Sequence, residues 1–486
     1  MSSRKALAYS FVDRYAGLLL SIVSSMVVAR LLNPAEIGVF SVAMVMLSFI
    51  SVLRDFGAGQ YLVQEKELTT ERIRATWTVQ LGLGLTFALV VLAAAVPASH
   101  FYAEPRLRDI MVVLSLNFAV SPFGSLTYAW LMREMDFRSL ALMRFTGSIA
   151  GACVCIGMAW QGWGPISLAA GSLAATVANA VIAIHFRPAS FPWIPGLTDV
   201  RRVLSFGGKL SATTFINTFG NSVPELVLGK VQGMVIVGLY SRGNGLAGMF
   251  NRLILDATQS VAMPLFSKAS REGHDLAPIF IKATSYVTVI GWSFFGVMIV
   301  LAHPIMRLLY GDQWDGAVPV TRLVAAAMAI GLPVAFCSTM LMASGQMGAL
   351  LRITLCSVLQ YATCVGVGAA LGLEPLGWSI VLATLINVAI WLIMSPEMRK
   401  ISKLNFSKIL LRSVCVAAST AAASTAAFLW ASGGVAANLI QLAIGLGAAS
   451  LTFLVAVFLI KHPLREEFRL LSRWSRALKP GASSSS

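Results

Sequence analysis

The stretch GLYSRGNGLAGMFNRLILDATQS, Gly238 to Ser260, decides how this chain folds, because it places charges in a sequence otherwise suited to a membrane. Drawn on a continuous α-helix at about 100° per residue, most of its polar side chains fall within an arc of roughly 100°. The members of this arc are Ser241, Arg242, Arg252, Asp256, Gln259 and Ser260. Arg252 and Asp256 are four residues apart, which is the spacing of an ion pair on one helix face.

The free-energy cost of exposing this polar face to lipid indicates which environment the face has. One charge near mid-membrane costs roughly 2.5–3.5 kcal/mol, so three charges would cost roughly 7–10 kcal/mol before any pairing. The face is therefore expected to line water, a ligand or another polar helix. Two interpretations follow: a structural ion pair near a helix end, or the cationic lining of a transport cavity.

The composition around this stretch is that of an integral membrane protein. Hydrophobic residues make up 57% of the 486 residues and charged residues only 12%, whereas soluble domains carry about 25% charged residues. The formal net charge of +16 would suggest nucleic acid as a partner of a soluble protein. Here the basic residues flank apolar segments, which indicates membrane topology and anionic lipids instead, so no nucleic-acid partner is expected.

The apolar segments predict an all-α membrane protein of about 14 transmembrane helices, each near the ~20 residues that a bilayer requires. The fourth of them is expected as one helix at about 109–132. Most Lys and Arg residues fall on one side of this layout, which predicts that both termini are cytoplasmic. We expect two pseudo-symmetric six-helix lobes and two extra C-terminal helices. The predicted boundaries are an N-terminal lobe at 1–187, a cytoplasmic linker at 188–208, a C-terminal lobe at 209–396, two additional helices at 397–460 and a basic cytoplasmic tail at 461–486.

A short internal repeat supports the predicted division into two lobes. The segment EIGVFS, Glu36 to Ser41, lies 200 positions before IVGLYS, Ile236 to Ser241. The offset equals the spacing between the predicted first and seventh spans, as a six-helix repeat requires. Parallel repeats of this kind are typical of secondary transporters, whose substrate sites lie between the repeats.

Further polar residues occur inside other predicted spans. The first span contains Asp13 beside Arg14, either a pair that reaches the headgroups or part of a polar lining. The seventh span places Asn217, Asn221 and Glu225 within one arc, with Pro224 beside the acid. Hydrogen bonding between helices and contact with a substrate are equally compatible with that arc.

Sequence signals of catalysis are missing from the chain. It contains no HExxH, no Walker A loop and no GxSxG motif. The five histidines and six cysteines do not recur at the spacing of metal ligands. We therefore expect neither an enzyme nor a metal or other cofactor.

Short motifs spread along the chain resemble those of Wzx-type flippases, the polysaccharide transporter family of the MOP superfamily. The motifs are LLNPAEIGVFSVA (31–43), RDFGAGQYLVQEKELT (54–69), RRVLSFGG (201–208), VGLYSRGNGL (237–246), MPLFSK (263–268), LLYGDQWDGAVP (308–319) and LMASGQ (341–346). The resemblance implies two six-helix lobes around a central cavity, plus two further helices. It also implies outward flipping of undecaprenyl-diphosphate-linked oligosaccharides across the bacterial inner membrane, for exopolysaccharide, capsule or O-antigen synthesis. One departure is Pro224, which stands where the family often has an Asp, with Glu225 one place later.

Under this hypothesis, the polar residues of the spans would contact the diphosphate and the glycan. The expected substrate cavity comprises Arg14, Arg54, Asn217, Asn221, Arg242, Asn244, Arg252 and Gln259. Coupling to an H⁺ or Na⁺ gradient would use Asp13, Glu225 or Asp256. The expected partners are the lipid-linked oligosaccharide, membrane lipids, and the polysaccharide polymerase and export machinery. The alternatives are a MATE-like multidrug exporter and a non-transporting membrane scaffold of a polysaccharide assembly complex.

Overall fold

The computed structural model describes residues 3–54, 58–65, 67–189, 191–432 and 438–467. Several side chains inside these ranges, mainly those of residues 3–15 and 201–214, are outside the description. Within it, every regular element is a helix, so the predicted all-α class is confirmed. The first ten are α1 (Ser3–Leu31), α2 (Pro34–Arg54), α3 (Ala58–Gln64), α4 (Thr70–Tyr102), α5 (Pro105–Val120), α6 (Pro122–Arg133), α7 (Phe137–Trp160), α8 (Ile166–Phe186), α9 (Val200–Val231) and α10 (Met234–Ala247).

The remaining helices follow a π-helical turn at Asn251–Leu255. They are α11 (Asp256–Arg271), α12 (Ala277–Tyr310), α13 (Val318–Gly331), α14 (Cys337–Ala343), α15 (Met347–Leu371), α16 (Leu373–Met394), α17 (Pro396–Lys400), α18 (Lys403–Ser432) and α19 (Asn438–Leu459). Two short 3₁₀ turns, at Asp312–Ala317 and Leu332–Val334, flank α13.

Two compact units make up the chain. The first comprises Met1–Ser241 with Leu309–Trp314, and the second comprises Arg242–Leu308 with Asp315–Ser486. Among the described residues, ten helices are long and apolar enough to cross a membrane, and the bent pair α5–α6 would make an eleventh. The chain is therefore a multi-pass membrane protein, while the count of about 14 spans and the division into lobes stay predictions.

The predicted fourth span, at about 109–132, is not one straight helix. It is broken at Ser121, and α5 and α6 meet there at an angle of 48°. Pro122 is the cause, because it has no N–H for the preceding turn and its ring clashes with that turn. Gly84 of α4 packs against the bend. An added Cβ on Gly84 would lie 2.6 Å from Cγ of Pro122.

In the first unit, the two segments of the internal repeat, 36–41 and 236–241, are in contact. An added Cβ on Gly38 of α2 would lie 1.8 Å from the carbonyl oxygen of Met234, and one on Gly238 of α10 would lie 1.9 Å from that of Pro34. One turn further on, the hydroxyl of Ser41 donates to that of Ser241 at 2.9 Å. Glycine at both positions is therefore what allows the two backbones to touch.

The segment between α8 and α9, predicted as part of a cytoplasmic linker, is folded against α4 of the first unit. The indole Nε1 of Trp77 donates to the carbonyl of Trp193 at 2.9 Å, and the amide of Gly196 donates to Oγ1 of Thr78 at 2.8 Å. The guanidinium of Arg187 lies 3.7 Å from the ring centroid of Trp193. Helix α9 then begins at Val200, inside the range of 188–208 that the sequence suggested for the linker.

After α19, the chain is anchored to the second unit by a buried histidine. The His462 Nε2 lies 3.2 Å from the hydroxyls of both Ser285 and Ser413. Its Nδ1 accepts from the amide of Leu464 at 3.2 Å, so the neutral ring carries its proton on Nε2. Five residues later, Glu467 accepts from the hydroxyl of Tyr286 at 2.9 Å. Residues 468–486 of the predicted basic tail lie outside the described residues.

Acid is expected to weaken this anchor. Burial, with the nearby charge of Arg412, lowers the pKa of His462 from 6.5 to about 4. The unfolded chain therefore binds more protons than the folded chain between pH 6.5 and pH 4, and stability falls as the pH falls through this window. The expected loss is about 2 kcal/mol at pH 5 relative to pH 7.5.

Thermal unfolding in detergent at both pH values checks this expectation. His462→Gln retains a donor and an acceptor but does not titrate, so its stability should depend less on pH than that of the wild type. If the stability of the two proteins depended equally on pH, protonation of His462 would not be the cause of the loss in acid.

Candidate functional site

The charged stretch between Gly238 and Ser260 is not a continuous α-helix. Helix α10 ends at Ala247, and the amide of Asp256 donates to the carbonyl of Asn251, five residues back, in the π-helical turn. One extra residue in a turn rotates everything that follows by about 100°. The single polar arc drawn for a regular helix is therefore wrong. Arg242 before the turn and Gln259 after it do not share that arc.

The first member of the predicted ion pair, Arg252, lies within the π-helical turn, and the second, Asp256, directly follows it. Arg252 donates from Nη2 to the carbonyl of Gly245 at 2.9 Å, back towards α10. Asp256 is exposed at the start of α11. The ion pair between Arg252 and Asp256 that regular helical spacing predicts stays a prediction.

Arg242, Asn244 and Gln259 are half-buried, whereas Arg252 is exposed. Between the first two, Gly243 lies against α13, where an added Cβ would be 2.6 Å from Oγ1 of Thr321. This close contact fixes the helix that carries Arg242. A half-buried guanidinium interacts more strongly with an anion than one in bulk water, because the surrounding dielectric constant is lower.

In α9 of the first unit, the predicted polar arc is divided by burial. Asn217 and Asn221 are exposed, whereas Glu225 is 8% exposed. Oε2 of Glu225 is enclosed and has no hydrogen-bond partner among the described atoms. Pro224 precedes it inside the helix and cannot donate to the carbonyl four residues earlier.

Arg54 lies at a cavity of about 560 Å³ within the first unit. Its Nη1 donates to the hydroxyl of Ser121 at 3.1 Å, at the bend between α5 and α6, and its guanidinium lies 5.4 Å from the ring centroid of Phe118. The proline bend thus presents Ser121 to the arginine at the end of α2.

The sequence reasoning missed several other polar residues that line this cavity. Arg144 of α7 donates to the hydroxyl of Tyr128, and Gln80 of α4 accepts from Ser125 at 2.9 Å. Thr176 and Asn179 of α8 also line the cavity. Each lies inside a predicted span, and a polar residue in an apolar span is the signal that could have identified it.

The predicted site residues are divided between the two units. Arg54, Asn217, Asn221 and Glu225 belong to the first unit, and Arg242, Asn244, Arg252, Asp256 and Gln259 belong to the second. The side chains of Asp13 and Arg14 lie outside the described residues. The assignment of these residues to cargo or ion binding stays a prediction.

Comparison with known families shows what kind of protein has this sequence. A family model described as "Polysaccharide biosynthesis protein" matches residues 27–319, more than half of the chain. The succinoglycan biosynthesis transport protein ExoT of Rhizobium meliloti is 27% identical over 66% of this chain and 64% of its own length. The lipopolysaccharide biosynthesis protein WzxC of Escherichia coli is 24% identical over 65% of each chain. The matches therefore span slightly less than two thirds of these relatives.

Comparison with solved structures identifies the fold. A lipid II flippase, MurJ, in an inward closed conformation gives a TM-score of 0.71 at 16% identity, covering 94% of this chain and 99% of the other. An inward-facing multidrug resistance MATE transporter of the MOP superfamily gives 0.62 at 14% identity, covering 83% and 98%. Family and fold are those of membrane transporters rather than of enzymes. The chain belongs to the polysaccharide biosynthesis protein family that includes the Wzx-type flippases, and it has the fold of the MOP superfamily.

Proposed function

We propose that this protein flips oligosaccharides linked to undecaprenyl diphosphate from the inner to the outer leaflet of the bacterial inner membrane. The product would be an exopolysaccharide, a capsule or an O-antigen. The observation that carries the proposal is the polar segment from Arg242 to Gln259, which contains two arginines. The fold of the chain is similar to that of a lipid II flippase. Relatives named for transport or biosynthesis of succinoglycan, lipopolysaccharide and teichuronic acid support the same cargo class.

The chemistry of this cargo matches the charge of the segment. A diphosphate bears about two negative charges, and a polar glycan cannot cross hydrocarbon unaided. Arg242 and Arg252 would bind the diphosphate through charge-assisted hydrogen bonds, to which the planar guanidinium is well suited. Asn244 and Gln259 would bind sugar hydroxyls through their amides. The lipid tail remains in the bilayer while the transporter alternates between inward and outward access through a cationic cavity.

Two sources of energy could drive outward movement. An inside-negative potential favours outward transfer of two negative charges by roughly 4–5 kcal/mol per 100 mV. Counterflow of H⁺ or Na⁺ through Asp13, Glu225 or Asp256 is the other source. Imposing a K⁺ diffusion potential, a pH gradient or a Na⁺ gradient on proteoliposomes, one at a time, identifies which one accelerates flipping.

The proposed setting is the inner membrane, with both termini cytoplasmic, where a polysaccharide polymerase and export machinery would receive the product. Charge asymmetry along the chain supports this orientation. A MATE-like exporter of cationic drugs is the second candidate, favoured by the likeness to a multidrug transporter. The two arginines of the segment fit an anionic cargo better than a cationic one.

Reconstitution of the full-length protein separates these functions. Liposomes would contain a fluorescent undecaprenyl-diphosphate oligosaccharide, and an impermeant quencher would report the fraction in each leaflet. We expect protein-dependent redistribution without any added enzyme, and no transport of a cationic dye such as ethidium. Dye transport alone would indicate the exporter, and absence of both activities in correctly folded protein would support the scaffold.

A further inference from the structure

The cavity beside Arg54 combines cationic, polar and apolar side chains. It lies wholly within the first unit, between α2, α3, α4, α6, α7 and α8. Two of its lining residues, Arg54 and Arg144, are cationic. Among the described residues that line it, none is Asp or Glu.

The polar groups of the cavity are those that bind phosphate oxygens. The hydroxyl of Ser121 contacts the Arg54 guanidinium at 3.1 Å, so a ligand there meets a cation and a hydroxyl together. Arg144 lies 5.3 Å from the ring centroid of Tyr128, to whose hydroxyl it donates. Asn179 contributes an amide that packs against Gly147. An added Cβ on Gly147 would lie 2.5 Å from Nδ2 of Asn179. Guanidinium groups form short, charge-assisted and often bidentate hydrogen bonds with phosphate.

Apolar residues also contribute to the lining. Val63, Pro122, Ala129, Met132 and Met143 line the same cavity. A volume of about 560 Å³ falls in the range of sites for small organic ligands and exceeds what one phosphate group requires. The combination fits a phosphate that carries hydrocarbon, because the cations bind the head while the apolar residues contact the first carbons of the chain.

The position of the cavity agrees with such a ligand. Arg54 is the last residue of α2, Met132 is near the end of α6, and Arg144 is in the second turn of α7. In the predicted topology these helix ends lie at the cytoplasmic side, where a lipid-linked precursor is assembled.

We propose that this cavity binds the phosphate group of a membrane lipid, with Arg54 and Arg144 as its two cationic contacts. Two lipids share this chemistry: a prenyl diphosphate, which would be the cargo before flipping, and an anionic glycerophospholipid of the bilayer. The cargo assignment rests on the proposed function, whereas phosphate binding by the cavity does not.

Direct binding tests the proposal on the full-length protein in phosphatidylcholine nanodiscs. The probes are undecaprenyl diphosphate, phosphatidylglycerol and undecaprenol, which lacks phosphate. The variants are Arg54→Gln and Arg144→Gln, with Arg138→Gln as the matched control, because Arg138 is exposed on α7 and does not line the cavity. Each cavity variant should weaken binding of a phosphate lipid roughly tenfold, while the control and undecaprenol binding stay unchanged.

The probes distinguish the two lipids. Preference for undecaprenyl diphosphate assigns the cavity to the cargo, and equal binding of phosphatidylglycerol assigns it to the bilayer lipid. Binding that does not require phosphate, or that survives both substitutions in folded protein, overturns the proposal. If the wild-type protein flips its cargo but Arg54→Gln and Arg144→Gln bind phosphate lipids as tightly as the wild type, the cavity proposal alone is wrong. Phosphate binding without flipping would count against the proposed function alone.

Discussion

Replacing Gly38 or Gly238 with alanine is expected to destabilise the protein and to stop its transport. Each added Cβ would lie within 2 Å of a backbone carbonyl oxygen of the partner helix, at 1.8 Å and 1.9 Å respectively. Neither oxygen can move without shifting a whole turn of α2 or α10. Overpacking of this kind costs roughly 1–3 kcal/mol and sometimes more. The melting temperature in detergent and the yield of folded protein measure the effect.

Gly82→Ala is the matched control for these variants. Gly82 also lies inside a long helix of the first unit, α4, but an added Cβ there meets nothing within 4 Å. The substitution should leave stability unchanged or raise it slightly, since alanine favours a helix by up to about 1 kcal/mol over glycine. If Gly38→Ala and Gly238→Ala were as stable as Gly82→Ala, the close crossing of α2 and α10 would be wrong.

Neutralising Arg242 is expected to reduce flipping more than neutralising Arg252. Arg242 is half-buried, whereas Arg252 is exposed and already donates to the Gly245 carbonyl. Loss of a charge from a less solvated position removes a stronger interaction with the diphosphate. We expect Arg242→Gln to slow flipping roughly tenfold or more and Arg252→Gln to slow it several-fold. The proteoliposome assay and polysaccharide export at matched membrane expression provide the measurements.

Two further variants separate charge from shape in this prediction. Arg242→Lys keeps the charge without the planar fork, so partial activity should return. Lys268→Gln removes an exposed charge from α11, where Lys268 lies 3.9 Å from Glu272, and should flip at the wild-type rate. Normal flipping by Arg242→Gln would remove this arginine from the mechanism, and equal loss in all variants would indicate a general effect of charge.

Helix content and membrane character could be predicted because both depend on local properties of the chain. Apolar runs of bilayer length indicate spans wherever they occur, and the described helices agree with them. The start of α2 is also set locally: the Asn33 amide donates to the Glu36 carboxylate at 2.9 Å, and the Glu36 amide donates to Oδ1 of Asn33 at 3.0 Å. The family motifs are short and contiguous, so they too could be recognised without coordinates.

The errors arose where local regularity was assumed. The fourth span was drawn straight through Pro122, although a proline inside a helix is a known cause of bending. The polar arc was drawn at a constant 100° per residue across Asn251–Leu255, where a π-helical turn intervenes. Nothing in the letters NRLIL distinguishes a π turn from an α turn, because their difference in energy is set by the surrounding packing.

The sequence by itself determined that this protein is a helical membrane protein of the polysaccharide biosynthesis family, since hydropathy, charge and motifs are properties of contiguous residues. The tertiary structure decided which distant residues meet. It brought Gly38 to Gly238, Arg54 to Ser121 and His462 to Ser285. Such contacts depend on how non-adjacent helices pack and bend, and the position of one side chain in three dimensions depends on all the helices that surround it.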